Sequence, residues 1–283
     1  MRKIAFTFAL LCFCLIARAG RVVTDSIYSK TMNCHVRFNV YLPDGFDQSA
    51  DKYPVVYLLH GLTGTHTDWE NLGNVRLIAD ELISSGEAQP MVIIMPNAGH
   101  PDRNNHWNGY FDMPGRRYET FFFTELLPAA ETKYKGMGNK ASRAIMGLSM
   151  GGGASIVYAQ KHPDKFSSSY AMSPWLEPAD ALKGNPDKKN KFYYLTESIA
   201  DNSAIRFISD ADENTRQQLR TVKWFFDCGD DDFLFDSSIN IFRLYKAANI
   251  RSELRIRNGS HNWEYWRASL RLALPFASRG FTE

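Results

Sequence analysis

The 283-residue sequence predicts an α/β fold with a mostly parallel central sheet and helices on both faces. Three observations carry this. From residue 20 onward, apolar runs of strand length alternate with amphipathic segments of helix length. Each run ends in a loop carrying Gly, Pro or Asp. The composition, 44% hydrophobic and 23% charged, is that of a chain able to bury a substantial core. It excludes disorder, collagen and coiled coil, and no nucleic-acid motif is visible.

Residues 1–19 join a basic start (Arg2, Lys3), an apolar run from Ile4 to Ile16 and a small-x-small end, Ala17-Arg18-Ala19. This pattern predicts a cleavable signal peptide. The run is shorter than the roughly 20 residues that span a bilayer. Leu11 and Phe13 precede Cys12 and Cys14, where lipid attachment needs a small residue. The expectation is a secreted or periplasmic protein of bacterial type, with one domain over 20–283 and no membrane span. Arg2, Lys3 and Arg18 belong to the leader and no acid does, so the formal charge of +2 becomes −1 for the remainder, with 30 basic and 31 acidic residues.

Two β-branched, alternating segments, Arg21–Ser29 and His35–Leu42, read as an antiparallel pair at one sheet edge. Buried-type strands follow at Val55–Leu59, Met91–Met95, Ala144–Met146, Ser167–Met172, Val222–Phe226 and Glu253–Arg257. Between them lie expected helices at Val75–Ser85, Tyr118–Tyr134, Gly152–Lys161, Ser238–Ala248 and Trp263–Phe276, the second kinked by Pro128. The polar interval Glu177–Arg220, after the sixth strand, reads equally as a solvated excursion or a partial lid.

Gly147-Leu148-Ser149-Met150-Gly151 sits between an expected strand and an expected helix, the context of a G-x-S-x-G nucleophile elbow. There Ser149 would project at the carboxyl edge of the sheet, beside a helix N-terminus. A serine needs a base to take its proton, and the base needs a third group to orient it. His261 follows the last expected strand, as the order Ser, acid, His requires. His60, His66, His100 and His106 precede Ser149, as does His35 within a strand, and His162 reads as a helix stop. For the acid, Asp227, Asp230, Asp231 and Asp232 compete; Asp232 is favoured because a turn at Gly229 would reverse the chain toward His261. Oxyanion donors are expected from the N–H of Met150 and from Leu62 in His60-Gly61-Leu62-Thr63-Gly64, with His60 organising that loop through its ring. The acidic cluster lacks the Gly and distal Glu of a calcium loop, and the cysteines lack zinc spacing, so no metal or cofactor is expected.

Tyr53-Pro54-Val55-Val56-Tyr57-Leu58-Leu59-His60-Gly61, Gly147-Leu148-Ser149-Met150-Gly151-Gly152, Cys228-Gly229 with Asp232-Phe233-Leu234, and Gly259-Ser260-His261-Asn262-Trp263 together resemble the esterase D-like branch of the α/β-hydrolases. That branch includes feruloyl and acetyl-xylan esterases, tributyrin esterases, S-formylglutathione hydrolases and mycolyltransferases. The resemblance covers nearly all of the chain after the leader. It implies the α/β-hydrolase fold, Ser149 as nucleophile, Asp232 as acid, His261 as base, and Leu62 and Met150 as oxyanion donors. In the family's strand order Cys34 and Cys228 lie at opposite sides of the sheet, beyond the Cα separation of about 7 Å that a bridge needs, so two separate thiols are expected.

Trp107, Tyr110, Trp175, Phe233, Trp263 and Trp266 fall in loops that this fold places near the site, where a flat acyl group or sugar ring could stack. Core packing is expected for at least one of Trp263 and Trp266. The expected function is that of a secreted serine carboxylesterase acting on feruloyl or acetyl esters of plant cell-wall polysaccharides. A mycolyl-type acyltransferase and a glutathione thioesterase are the enzymatic alternatives, the latter disfavoured by export. A non-catalytic binder is disfavoured because every catalytic position is filled.

Overall fold

A computed structural model describes residues 19–99, 109–177 and 191–282. The expected leader up to Arg18, Trp107 and residues 178–190 of the polar excursion lie outside the described residues. Eight strands form one sheet: β1 (Arg21–Ser29), β2 (Cys34–Leu42), β3 (Val55–Leu59), β4 (Val92–Pro96), β5 (Arg143–Leu148), β6 (Ser168–Met172), β7 (Lys223–Gly229) and β8 (Ser252–Arg257). Their spatial order is β1-β2-β4-β3-β5-β6-β7-β8. Only β2 runs against the others: it pairs antiparallel with β1 and β4, and every later neighbour pair is parallel. Parallel neighbours need crossovers, and a sheet covered on both faces needs strands apolar on both sides. β3 meets this. Its Val55, Tyr57 and Leu59 enter one core and its Val56 and Leu58 the other.

The second core packs under α1 (Val75–Ser84) and the C-terminal α4 (Trp263–Ser278). The first packs under a helical run from Tyr118 to Lys133, α2 (Met150–Lys161) and α3 (Phe235–Ala247). The helix expected over Tyr118–Tyr134 departs from regularity before Pro128, at a π-helical turn over Phe122–Leu126, and Pro128 opens the next α-helical stretch. The proline removes one N–H, and the wider turn ahead of it accommodates the ring. α2 starts at Met150, two residues earlier than its sequence suggests, because the helix grows directly out of the elbow. The described part of the polar excursion is three helices, Lys191–Asp201, Ala204–Asp210 and Glu213–Leu219, whose Leu195, Ile199, Ile208 and Leu219 join the first core.

Cys34 on β2 and buried Cys228 on β7 are both free thiols, as expected from their separation across the sheet.

At the end of β5 opposite the elbow, Arg143 clasps Glu131 through Nε–Oε1 at 2.5 Å and Nη2–Oε2 at 2.7 Å. Both side chains are 6% exposed. The remaining Nη1 donates to Lys165 O at 2.8 Å, and Tyr57 donates to Glu131 at 3.2 Å, so the pair is well satisfied. It ties a helix to the sheet centre. Glu131→Ala strands a buried guanidinium and is expected to lower unfolding free energy by about 3–5 kcal/mol in urea titrations. Because the pair lies at the end of β5 away from Ser149, kcat of the folded variant is expected to match wild type.

Candidate active site

β5 delivers Ser149 into a tight turn at φ 53° and ψ −118°, a conformation L-residues with a Cβ avoid. The turn is held by the backbone around it. Ser149 N–H donates to Met172 O at 2.9 Å, and Ser149 O accepts from Gly153 N–H and Trp175 N–H, each at 2.9 Å. The next helical turn must pass very close to β3, since a Cβ on Gly151 would lie 2.6 Å from His60 O. Glycine is required there by contact.

Loops from β7 and β8 bring two further groups to this serine. His261 Nε2 lies 3.0 Å from Ser149 Oγ, and His261 Nδ1 lies 2.9 Å and 3.1 Å from the two Asp232 oxygens. This geometry suits one tautomer, with Nδ1–H toward the carboxylate and the Nε2 lone pair toward the hydroxyl. Burial acts to raise the Asp232 carboxyl, but hydrogen bonds from His261, Leu234 N–H and the Ser173 hydroxyl outweigh it and hold the group below its ordinary value. Leu234 N–H reaches Asp232 Oδ1 at 2.9 Å. The competing acids are engaged elsewhere or exposed. Asp227 is buried between Tyr170 Oη at 2.7 Å and Tyr265 Oη at 2.5 Å, Asp230 accepts from Gly259 N–H at 3.0 Å, and Asp231 faces solvent.

Leu62 lines the cleft beside Ser149, on the loop leaving β3. Met150 N–H is the first of α2, where an α-helix offers no acceptor. Among the described residues, neither N–H has a backbone acceptor outside a helix or strand. The loop is fixed by His60, which is 1% exposed. Its Nε2 accepts from Ala98 N–H at 3.0 Å, and its Nδ1 lies 2.7 Å from Gly61 O, so Nδ1 carries the proton. Tyr110 Oη brackets the His60 backbone, 2.8 Å from its N and 3.1 Å from its O. Tyr110 is 1% exposed, so the sequence-based placement of its ring near substrate is corrected: it props the loop from beneath.

The cleft over Ser149 measures about 540 Å³ and is lined by Leu62, Trp175, Phe233, Leu234, Trp263 and Trp266 among others. Phe233 is 77% exposed, with its ring 4.5 Å from that of His261. Trp263 is half-buried and stacks edge-on against Trp69 and Trp266, while Trp266 is buried at 6% exposure, which meets the expectation that one of this pair packs in the core. Two cleft carboxylates, Asp68 at the start of the short helix Asp68–Asn71 and Glu177 in a loop, were not singled out from sequence, because isolated acids carry no spacing signal. Of the described excursion, only Glu177 reaches the cleft; none of its three helices lines it. Among the described residues, no group of three or more His, Cys, Asp or Glu side chains is placed to hold a metal ion, and no helix is long and apolar enough to cross a membrane.

Burial, partly opposed by the hydrogen bond to Gly61 O, depresses His60 from its ordinary 6.5 to about 4. A base depressed in the fold adds stability above its unfolded value and loses it as pH falls through the folded one. Unfolding free energy is expected to drop between pH 6.5 and 4, with His60 contributing about 3 kcal/mol. Urea midpoints across that range are expected to slope less in His60→Gln than in wild type.

Comparison with known proteins places this geometry in context. Residues 29–277 match the model of the Esterase family. A solved ferulic acid esterase is 45% identical, with TM-score 0.87, covering 93% of this chain and 100% of that one. An S-formylglutathione hydrolase of Staphylococcus aureus shares the fold at TM-score 0.73 and 18% identity, covering 92% and 99% of the two chains. An endo-1,4-beta-xylanase/feruloyl esterase of Xylanibacter ruminicola is 26% identical over 256 residues; the match takes in 89% of this chain but only 30% of that protein's length. The chain belongs to the Esterase family, with the α/β-hydrolase fold, and is similar to a ferulic acid esterase.

Proposed function

We propose that the protein is an exported serine feruloyl esterase that releases hydroxycinnamic acids from polysaccharide-linked esters. The observation that carries the chemistry is the hydrogen-bonded chain from Asp232 through His261 to Ser149 at the floor of an aromatic-lined cleft. In this reading His261 Nε2 takes the Ser149 proton as Oγ attacks the ester carbonyl, and the N–H groups of Leu62 and Met150 receive the developing oxyanion. His261 then protonates the leaving alcohol. A water activated at the same nitrogen releases the acid, while Asp232 stays ionised and steadies the imidazolium. The choice of ferulate is supported by the 45% identity to a ferulic acid esterase and by Trp175, Phe233 and Trp263 along the cleft, flat surfaces suited to an aryl acid or a sugar.

Export is supported by the leader-like residues 1–19 and by the chain just after them. Gly20 is buried and its N lies 2.8 Å from Asp80 Oδ1, an oxygen that also accepts from Tyr41 Oη at 2.8 Å. A Cβ at residue 20 would stand 2.6 Å from the Tyr41 ring, so only glycine fits. Cleavage after Ala19 would turn that amide into an ammonium already facing a carboxylate. N-terminal sequencing of protein recovered outside the cytoplasm is expected to begin at Gly20; a retained leader would overturn the export reading.

Ser149→Ala is expected to lower kcat by about 10⁵-fold or more, and Asp232→Asn by about 10⁴-fold, with unchanged circular dichroism. Methyl ferulate, acetylated xylan, 4-nitrophenyl acetate and an S-acyl glutathione, assayed side by side, test the substrate. The highest kcat/KM is expected on methyl ferulate, and activity confined to the thioester would sink the proposal.

A further inference from the structure

The edge strand β8 and its neighbour β7 run parallel to β5 and β6, so both begin at the end of the sheet opposite Ser149. Cations gather there. A recess of about 380 Å³ is lined by Arg220, Lys223, Arg251, Ser252, Glu253 and Arg279, and the buried Val222, Trp224 and Phe276 complete its wall. Four cations against one carboxylate is a local excess in a chain of 33 basic and 31 acidic residues. The recess and the Asp232 loop stand at opposite ends of β7, roughly 20 Å apart at about 3.3 Å per residue.

The cations differ in how far the fold already uses them. Arg220 is fully engaged: its Nε and Nη2 donate to Asn249 O and Ala248 O at 3.0 Å and 3.2 Å, just past α3, and its Nη1 pairs with Glu213 at 2.6 Å. Lys223 Nζ gives one proton to Arg279 O at 3.1 Å and keeps two. Arg251 and Arg279 are exposed, and among the described residues neither guanidinium has an ion pair or a hydrogen bond. Glu253, also exposed, pairs with none of them. Ser252 Oγ is shut off from solvent and has no hydrogen-bond partner among the described residues, an unfavourable state for a hydroxyl.

Two ordinary roles leave this arrangement unexplained. Charges on an edge strand keep other strands from pairing with it, which needs cations on β8 alone. Cations near a helix C-terminus complement its carbonyls, which accounts for Arg220 and not for Arg251. Neither role gathers groups from β7, the turn before β8 and the end of α4 into one concavity. Guanidinium forks match the two oxygens of a carboxylate. The volume falls within the roughly 300–1,000 Å³ of ligand pockets, suited to a sugar-sized molecule more than to a lone oxyanion. The apolar wall suits the carbon face of a sugar ring.

We propose that this recess binds a uronic-acid residue and so tethers the protein to acidic polysaccharide, away from the reacting ester. Arg251, Arg279 and Lys223 receive the carboxylate, and the Ser252 hydroxyl turns about its one side-chain bond to donate to the bound sugar. The choice of a sugar acid rests on the reading of the protein as an esterase of polysaccharide-linked esters; the free cations do not depend on it.

The test is affinity electrophoresis in native gels cast with glucuronoxylan, with carboxyl-reduced glucuronoxylan, or with neither. Wild type is expected to be retarded by glucuronoxylan and not by the reduced polymer. Arg251→Gln with Arg279→Gln is expected to weaken binding about 10-fold or more, and Ser252→Ala about 3-fold. Both proteins are expected to keep the wild-type kcat/KM on methyl ferulate, because the recess is remote from Ser149. If the double variant does not fold, each single variant is read in its place. Equal retardation by the reduced polymer, or unchanged retardation of the arginine variants, would overturn the proposal. So would an unaffected Ser252→Ala beside a lost double variant, the mark of diffuse charge attraction. In calorimetry, glucuronate is expected to bind more tightly than inorganic phosphate, and the reverse order overturns the assignment to a sugar acid. Methyl ferulate turnover by wild type reports on the esterase reading separately. Its absence with retardation intact refutes that reading and leaves the recess standing, while turnover without retardation refutes the recess alone.

Discussion

The site depends on one constrained turn. Ser149 is held at positive φ, a conformation that costs a residue with a Cβ about 1–3 kcal/mol, so it persists only where its surroundings over-determine it. Here they do so from three sides. Met172 at the end of β6, Gly153 within α2 and Trp175 beyond β6 each close a backbone hydrogen bond on Ser149, while Gly151 lets the helix press against the carbonyl of His60. The turn sits at the middle of the sheet, between β3 and β6, and both faces beneath it are filled with apolar side chains. Packing energy of the whole sheet is thus available to hold a strained serine.

Around that turn the parts divide by rigidity. β7 and β8 end side by side, and their loops carry Asp232 and His261 to the serine at hydrogen-bond distances of 2.9 Å and 3.0 Å. The Leu62 loop is fixed by a neutral, buried histidine and a buried tyrosine, so its N–H groups are held in place by the fold itself. Phe233, by contrast, projects into solvent beside His261. A preorganised floor under an exposed aromatic rim is suited to an ester whose acyl portion is held by contact area and whose carbonyl is held by backbone N–H groups.

Much of this was legible in the chain itself. The elbow is a local pattern, since its glycines and its strand and helix contexts are contiguous, and His261 follows from chain order among seven histidines. The alternation of strands and helices gave the parallel sheet, because periodicity reports which faces are apolar. The π-helical turn before Pro128 was not legible: a 3.6-residue pattern does not distinguish a widened turn from a kink. Nor was the burial of Tyr110, which sits in a loop segment whose composition resembles any aromatic rim.

What the sequence determined alone is therefore chemistry that lies close together in the chain: the elbow, the order of the site residues and the alternation that makes the sheet. What tertiary structure decided is chemistry assembled across distance. Four aspartates stand within six residues, and only folding engages Asp227 with two tyrosines and Asp230 with Gly259 while turning Asp232 to His261. Asp68, Glu177 and Ser173 acquire their surroundings in the same way, from elements far apart in the chain. The physical reason is range. Backbone propensity and hydrophobic period act over a few residues, whereas a hydrogen bond between side chains exists only after the cores have packed and brought its two ends within about 3 Å.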